Sequence, residues 1–190
     1  MGYCDGDAAI DGLMIHYHDK EWGVPVHDDK KQFGFFIMEC GLNWAMMMAR
    51  REVFRSCFDA FDYARVASND ESDIRRIMGT SGMIHSRRKM EAVVNNACRF
   101  QDIRKEFGSF ASSLWKWSGG RTILYEKHEK GWIPSSNGLS EAISKDVKVR
   151  GFTFSGSVTV YAHLQAYCII NEGTARAMGV STNAGAMRNR

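Results

Sequence analysis

From about Lys30 to Phe58, apolar and charged residues alternate with a helical rather than a strand period, which predicts two helices broken near Gly41. Asp62 to Ala67 reads as a short connection. Ser68 and Glu71 have the spacing of a capping box, and Ile74, Ile77 and Met78 then make one apolar stripe that ends at Gly79. A long helix is predicted from Arg87 to Phe107. Its positions Met90, Val93, Val94, Ala97, Phe100 and Ile103 share a side, as expected of a central helix. Phe110 to Trp117 makes another helix, with Leu114, Trp115 and Trp117 in the core or at its margin. Ser118 to Asn137 is rich in Gly, Lys and Glu and reads as an irregular excursion from which Trp132 packs back. Leu139 to Val149 is helical, Gly151 to Gly156 is a tight hairpin, and Ser157 to Asn171 forms the last helix. There Val158, Tyr161, Leu164, Gln165 and Cys168 share a face. The pattern is all-α: one helical domain over residues 1–172, then a Gly-, Ala-, Asn- and Ser-rich tail over 173–190 expected to be flexible.

One segment follows neither period. Tyr17-His18-Asp19-Lys20-Glu21-Trp22-Gly23-Val24-Pro25 crowds two aromatics, an imidazole and two carboxylates together. A strand here would put a charge on each face, and a helix would end before Gly23 and Pro25, so the run reads as a rigid ordered loop. Such loops carry function or form aromatic-anchored surface turns, and composition alone leaves both open. A second segment, Phe35 to Met48, is apolar but interrupted by Glu39. Burying an unpaired carboxylate is costly, so Glu39 is paired with a residue such as Arg50 or Arg51, exposed on a polar face, protonated, or held for a ligand. Trp44 follows five positions later, near enough on one or two helical turns to border the same cavity. An aromatic face beside a carboxylate suits a flat, cationic, hydrogen-bonding ligand, although a Trp on an apolar helix is more often core.

Composition changes this picture little. In 190 residues, a hydrophobic fraction of 44% and a charged fraction of 25% are those of a globular protein that can bury a sizeable core. The formal charge of +3 permits nucleic-acid binding without arguing for it. His85 to Lys89 and Lys145 to Arg150 concentrate basic residues beside turns, a pattern shared with ordinary solvated helix faces. Cysteines 4, 40, 57, 98 and 168 are scattered singly, which is no disulfide framework and points to a reducing cytoplasm. The N-terminus has no signal-peptide pattern, and no apolar run approaches a membrane span. The helix, Gly-bounded turn, helix from Leu139 onward can direct backbone N–H groups at a phosphate, with Lys148 and Arg150 flanking it.

Four stretches together carry a resemblance: Tyr17 to Pro25, Gly41-Leu42-Asn43-Trp44 followed by Arg50-Arg51-Glu52, Gly82 to Lys89, and Arg150-Gly151-Phe152-Thr153-Phe154 on to Gln165-Ala166. In this order, from about Cys4 to Asn171, the chain resembles the 3-methyladenine DNA glycosylase I family of helix-hairpin-helix glycosylases. The resemblance implies an all-α, two-lobed helical bundle with a base pocket between the lobes. It implies excision of cationic, alkylated purines, chiefly 3-methyladenine, from double-stranded DNA, with the free base as product. Glu39 and Tyr17 would contact the edge of the extruded base, Trp44 would stack on it and Trp22 would help form the pocket. Lys148, Arg150, Gly151, Phe152, Gly156 and Ser157 would grip the DNA backbone. Ser157, Val158, Thr159 and Val160 follow the hairpin where related glycosylases place an Asp, and there is no Lys nucleophile, which implies a monofunctional enzyme without lyase activity. The expected form is a cytoplasmic monomer with no membrane partner and no cofactor needed for the chemistry.

Three departures qualify the likeness. The spacer after Glu39 is short, so Glu39 matches the pocket acid only if three residues are absent after it; placed otherwise, it falls on a Gln-like position. A structural zinc in the family joins the two ends of the chain. Cys4 and His18 match its first pair of ligands, but Asn171-Glu172-Gly173-Thr174 has no His and no Cys follows Cys168, leaving half of a four-ligand site. Asp5-Gly6 stands where many members have a Trp, which would open one pocket wall. The rival readings are a catalytically silent helix-hairpin-helix DNA-binding module and, more remotely, a metal-binding or structural helical protein.

Overall fold

Helix α7 (Arg87–Phe107) is the axis of the computed structural model, which describes residues 8–38, 44–125, 134–171 and 187–188. Its register follows from spacing, because Met90, Val93, Ala97, Phe100 and Ile103 recur every three or four positions and all are buried. Gly108, at φ 82°, ends it in left-handed backbone that suits glycine. Against α7 pack α5 (Tyr63–Val66), α6 (Glu71–Gly79) and α8 (Phe110–Trp115). Earlier in the chain come α1 (Ala8–Lys20), α2 (Asp29–Met38), α3 (Trp44–Ala49) and α4 (Arg51–Cys57). Later come α9 (Gly138–Val149) and α10 (Ser157–Ala166), which pack on each other. A chain of rings joins these parts. Phe100 meets Phe33 of α2 edge-on at 5.1 Å and stacks on Phe110 of α8 at 4.1 Å, while Phe152, beyond α9, approaches Phe110 at 6.2 Å and Phe36 of α2 at 5.6 Å.

The fold is mostly helical, as the pattern requires, with several local corrections. Three two-residue strands form a parallel sheet in the order β2-β1-β3: β1 (Ile123–Leu124), β2 (Ile170–Asn171) and β3 (Met187–Arg188). The last helix therefore stops at Ala166 rather than reaching Asn171. Cys168 turns left-handed at φ 58°, its N–H donates to the Gln165 carbonyl, and the Ile169 N–H donates to that of Leu164. β-branched Ile169 and Ile170 then run extended and buried, with Ile170 opposite Ile123. Val158, expected on the buried face of α10, is 56% exposed, and Val160, Tyr161, His163 and Leu164 fill the core instead.

The stretch after Gly41 is two helices, divided at Arg50, rather than one. Asp62 caps a short α5 inside the expected connection, accepting from the Ala64 and Arg65 N–H groups at 3.0 and 3.3 Å. The capping box of α6 belongs to Asp70 and Asp73, whereas the Ser68 hydroxyl donates to the Arg65 carbonyl. Trp115 is buried and Trp117 lies at the margin; Trp132 is outside the described residues. Among the described residues no helix is long and apolar enough to cross a membrane.

Candidate active site

The polar run that opened the question is half helix and half turn. Tyr17 to Lys20 complete α1, with basic His18 and Lys20 in its last turn, where the helix dipole favours positive charge. The Glu21 and Trp22 N–H groups then both donate to the Tyr17 carbonyl, and Gly23 takes φ 76° to turn the chain. The expected loop thus begins only at Glu21. Its far side is clamped to the core. The Cys168 thiol donates to the Gly23 carbonyl at 3.2 Å, the Val26 N–H donates to the Tyr167 carbonyl, and the Val26 carbonyl accepts from Gln32 Nε2 and Trp115 Nε1 at 2.7 and 2.9 Å.

This clamping builds an aromatic wall. Tyr17 is buried, with its ring edge-on to Trp22 at 6.1 Å and to Phe35 of α2 at 6.3 Å, and Phe35 in turn meets Tyr167 at 6.2 Å. Arg51, the first residue of α4, lies 5.8 Å over the Phe35 ring and makes a bidentate ion pair with Glu21 at 2.5 and 2.9 Å. Sequence reasoning missed Phe35, Tyr167 and the Glu21–Arg51 pair, having offered Arg51 as a partner for Glu39. The pair spans thirty positions, and no local pattern signals it. Phe35 also lines an open recess of about 320 Å³ together with Lys31, Met38, Arg51, Arg55 and Phe61. Glu39 lies outside the described residues, directly after α2, as do Gly41 to Asn43; Trp44 opens α3, and its side chain is likewise outside them.

Burial raises the Glu21 carboxyl, but the hydrogen bond and charge of Arg51 outweigh it and hold the carboxyl below its ordinary value of 4.5. A depressed carboxyl contributes stability above its unfolded value and loses it as pH falls through the folded one. Thermal melts of the wild type and Glu21→Gln should therefore differ most above pH 4.5 and converge as the pH drops below it.

The second part of the site is the hairpin between α9 and α10. Helix α9 ends in paired bonds from the Gly151 and Phe152 N–H groups to the Lys148 and Val147 carbonyls, with Gly151 at φ 89°. Buried Asn96 of α7 brackets Thr153, donating to its carbonyl at 2.9 Å and accepting from its N–H at 2.8 Å. Asn95 donates to the Gly151 carbonyl, and the Ser144 hydroxyl to the Ser155 carbonyl at 2.7 Å. Gly156 then precedes α10 without any side-chain cap, leaving the first-turn N–H groups from Ser157 without a side-chain acceptor. Lys148 is exposed. Arg150, expected beside it on a phosphate, is instead tied to Glu106 at 2.5 Å and Asp146 at 3.0 Å and lies over Phe107, so two carboxylates offset its charge. Phe152 is buried in the ring chain, so its side chain serves packing rather than a surface contact.

Asn96→Ala would leave the Thr153 N–H and carbonyl without their partner. Denaturant unfolding should show a loss of about 1–3 kcal/mol.

Of the two residues that match the family's first zinc pair, only His18 lies among the described residues. His18 is exposed, with Nδ1 3.1 Å from Asp19, and Cys4 lies outside the described residues. Cys168 is a buried thiol, pushed up by desolvation, that donates to the Gly23 carbonyl. Among the described residues no three His, Cys, Asp or Glu side chains cluster closely enough to hold a metal.

The methyladenine glycosylase family model matches residues 7–179. The chain belongs to the methyladenine glycosylase family. It is 34% identical over 170 residues to DNA-3-methyladenine glycosylase 1 of Escherichia coli strain K12, covering 88% of this chain and 91% of that one. Its fold matches a Tyr-to-Phe variant of 3-methyladenine DNA glycosylase I in complex with 3-methyladenine, with a TM-score of 0.80 and 30% identity over 84% of this chain and 87% of the other. A solution structure of a 3-methyladenine DNA glycosylase I, described with a novel mode of alkylated base recognition, matches with a TM-score of 0.81 and 33% identity, covering 97% and 100% of the two chains. Within the methyladenine glycosylase family, the wall of Tyr17, Trp22 and Phe35 is this chain's candidate for the base pocket, and the hairpin over 151–156 its candidate for the DNA grip.

Proposed function

We propose that this protein hydrolyses the N-glycosidic bond of 3-methyladenine in double-stranded DNA, as a monofunctional repair glycosylase acting on a flipped base. The observation that carries the reading is the wall of buried Tyr17 and Phe35 with half-buried Trp22, set against α2 at the end that leads into Glu39. A base stacked in a duplex is out of reach, so it is extruded, which is easiest where damage weakens pairing. Lys148, Gly151, Gly156 and Ser157 hold the backbone, the last two through N–H groups at the start of α10. Tyr17 and Glu39 take the edge of the extruded base, Trp44 stacks on its face and Trp22 closes the side.

Methylation at N3 makes the base of the intact nucleotide cationic and already a good leaving group, so no general acid is needed. Aromatic faces and one carboxylate favour such a base over neutral adenine. As the bond breaks, positive charge moves to the sugar, where the carboxylate and the DNA phosphates stabilise it until water attacks. No residue between Ser157 and Val160 supplies an amine nucleophile, in keeping with hydrolysis rather than strand cleavage. The free thiols of Cys57, Cys98 and Cys168 suit a reducing cytoplasm.

Incubating the protein with methylated DNA and separating released bases by chromatography tests the reading. Release of 3-methyladenine without strand nicking is expected. Folded protein that releases no more than buffer would overturn it in favour of a silent DNA-binding module.

A further inference from the structure

Phe154 is the residue of the hairpin that neither packing nor backbone geometry accounts for. It sits at φ 54°, in the left-handed region where an aromatic side chain is strained and glycine is not. The strain is sustained because its neighbours are fixed, Thr153 by Asn96 and Ser155 by Ser144. Burial does not explain the ring, which is 38% exposed, whereas Phe152 two positions earlier is 4% exposed. What lies over the ring is the Arg88 guanidinium, 5.4 Å from its centroid. Arg88 is exposed, and among the described residues it forms no ion pair, while neighbouring Arg87 is held by both Glu71 and Glu91. One cation of an adjacent pair is thus neutralised, and the other is kept available and oriented by a ring that the hairpin holds outward.

We propose that Phe154 and Arg88 form one composite DNA contact beside the hairpin, the ring packing on a deoxyribose and the guanidinium pairing with the adjoining phosphate. This rests on the reading of the hairpin as the DNA grip and adds a side-chain contact to its backbone ones. Stacking orders a long, flexible side chain before the DNA arrives, so less freedom is lost on binding. The guanidinium fork matches phosphate geometry, and a ring is indifferent to base identity, as suits an enzyme that must find damage in any sequence.

The test is fluorescence anisotropy with a labelled duplex carrying an abasic-site analogue, across a potassium chloride series, for the wild type, Phe154→Gly and Arg88→Ala, with a thermal melt of each. Phe154→Gly should melt no lower than the wild type, because the strain is relieved, yet bind the duplex several-fold more weakly. Arg88→Ala should bind about tenfold more weakly at low salt and lower the slope of log affinity against log salt by about 0.9, the signature of one lost phosphate contact. In base release from methylated DNA, both should raise KM and leave kcat near the wild-type value. Duplex affinity unchanged in Phe154→Gly, or lost only in step with its melting temperature, would make the ring structural and overturn the proposal. An unchanged salt slope in Arg88→Ala would overturn its phosphate half. A wild-type protein that does not bind the duplex would overturn the reading of the hairpin, and this inference with it.

Discussion

Glu39→Gln is expected to lower release of 3-methyladenine from methylated DNA on the order of a hundredfold while leaving the fold intact. The amide keeps the shape of the carboxylate and one acceptor oxygen, so the change is conservative in volume. What it lacks is charge. A cationic base and the electron-poor sugar that follows it are both stabilised by a fixed negative group, and neither is stabilised by a neutral amide. Single-turnover release from methylated DNA measures the effect, with a thermal melt as control. A variant that keeps activity within a few-fold of the wild type would place the pocket acid elsewhere, as the alternative alignment does by setting Glu39 on a Gln-like position.

The long elements were legible because their signals are local. The limits of α7 follow from five apolar positions at helical spacing and a glycine just beyond, and the hairpin from glycines flanking a turn between two helix-forming stretches. The misplaced cap of α6 shows where local reasoning falters: Ser68 with Glu71 and Asp70 with Asp73 have the same spacing, and only the bonds made separate them. The polar run was misjudged for a different reason. Tyr17 to Lys20 remain helical, with Tyr17 buried against Phe35 of α2, a contact eighteen positions away that the polar run itself does not contain. Arg150 was assigned to a phosphate on charge and position. Glu106, forty-four residues away, has a prior claim on it. By contrast Arg88 lay in plain view in a basic run, and only the structure shows that it differs from Arg87.

Phe100→Ala should cost about 3–5 kcal/mol of stability, the largest loss expected from any single truncation discussed, with Phe100→Leu costing much less. Phe100 is fully buried and sits where rings from separate parts of the chain meet: Phe33 of α2 at 5.1 Å, Tyr63 of α5 at 5.2 Å and Phe110 of α8 at 4.1 Å. Truncation opens a cavity that its neighbours can fill only by moving. Two of them are held: Arg104 covers Tyr63 at 4.5 Å while pairing with Asp29 at 2.5 Å, and Asp29 also accepts from the Ala111 N–H beside Phe110. Because Phe110 continues through Phe152 to Phe36, the loss should reach both halves of the site, loosening the hairpin together with α2. Denaturant titration gives the stability change. Hydrogen exchange should then show reduced protection at the N–H groups of Thr153 and Gln32, in the hairpin and in α2, to a similar degree. Loss confined to one of them would mean that the rings pack the two halves separately rather than as one core.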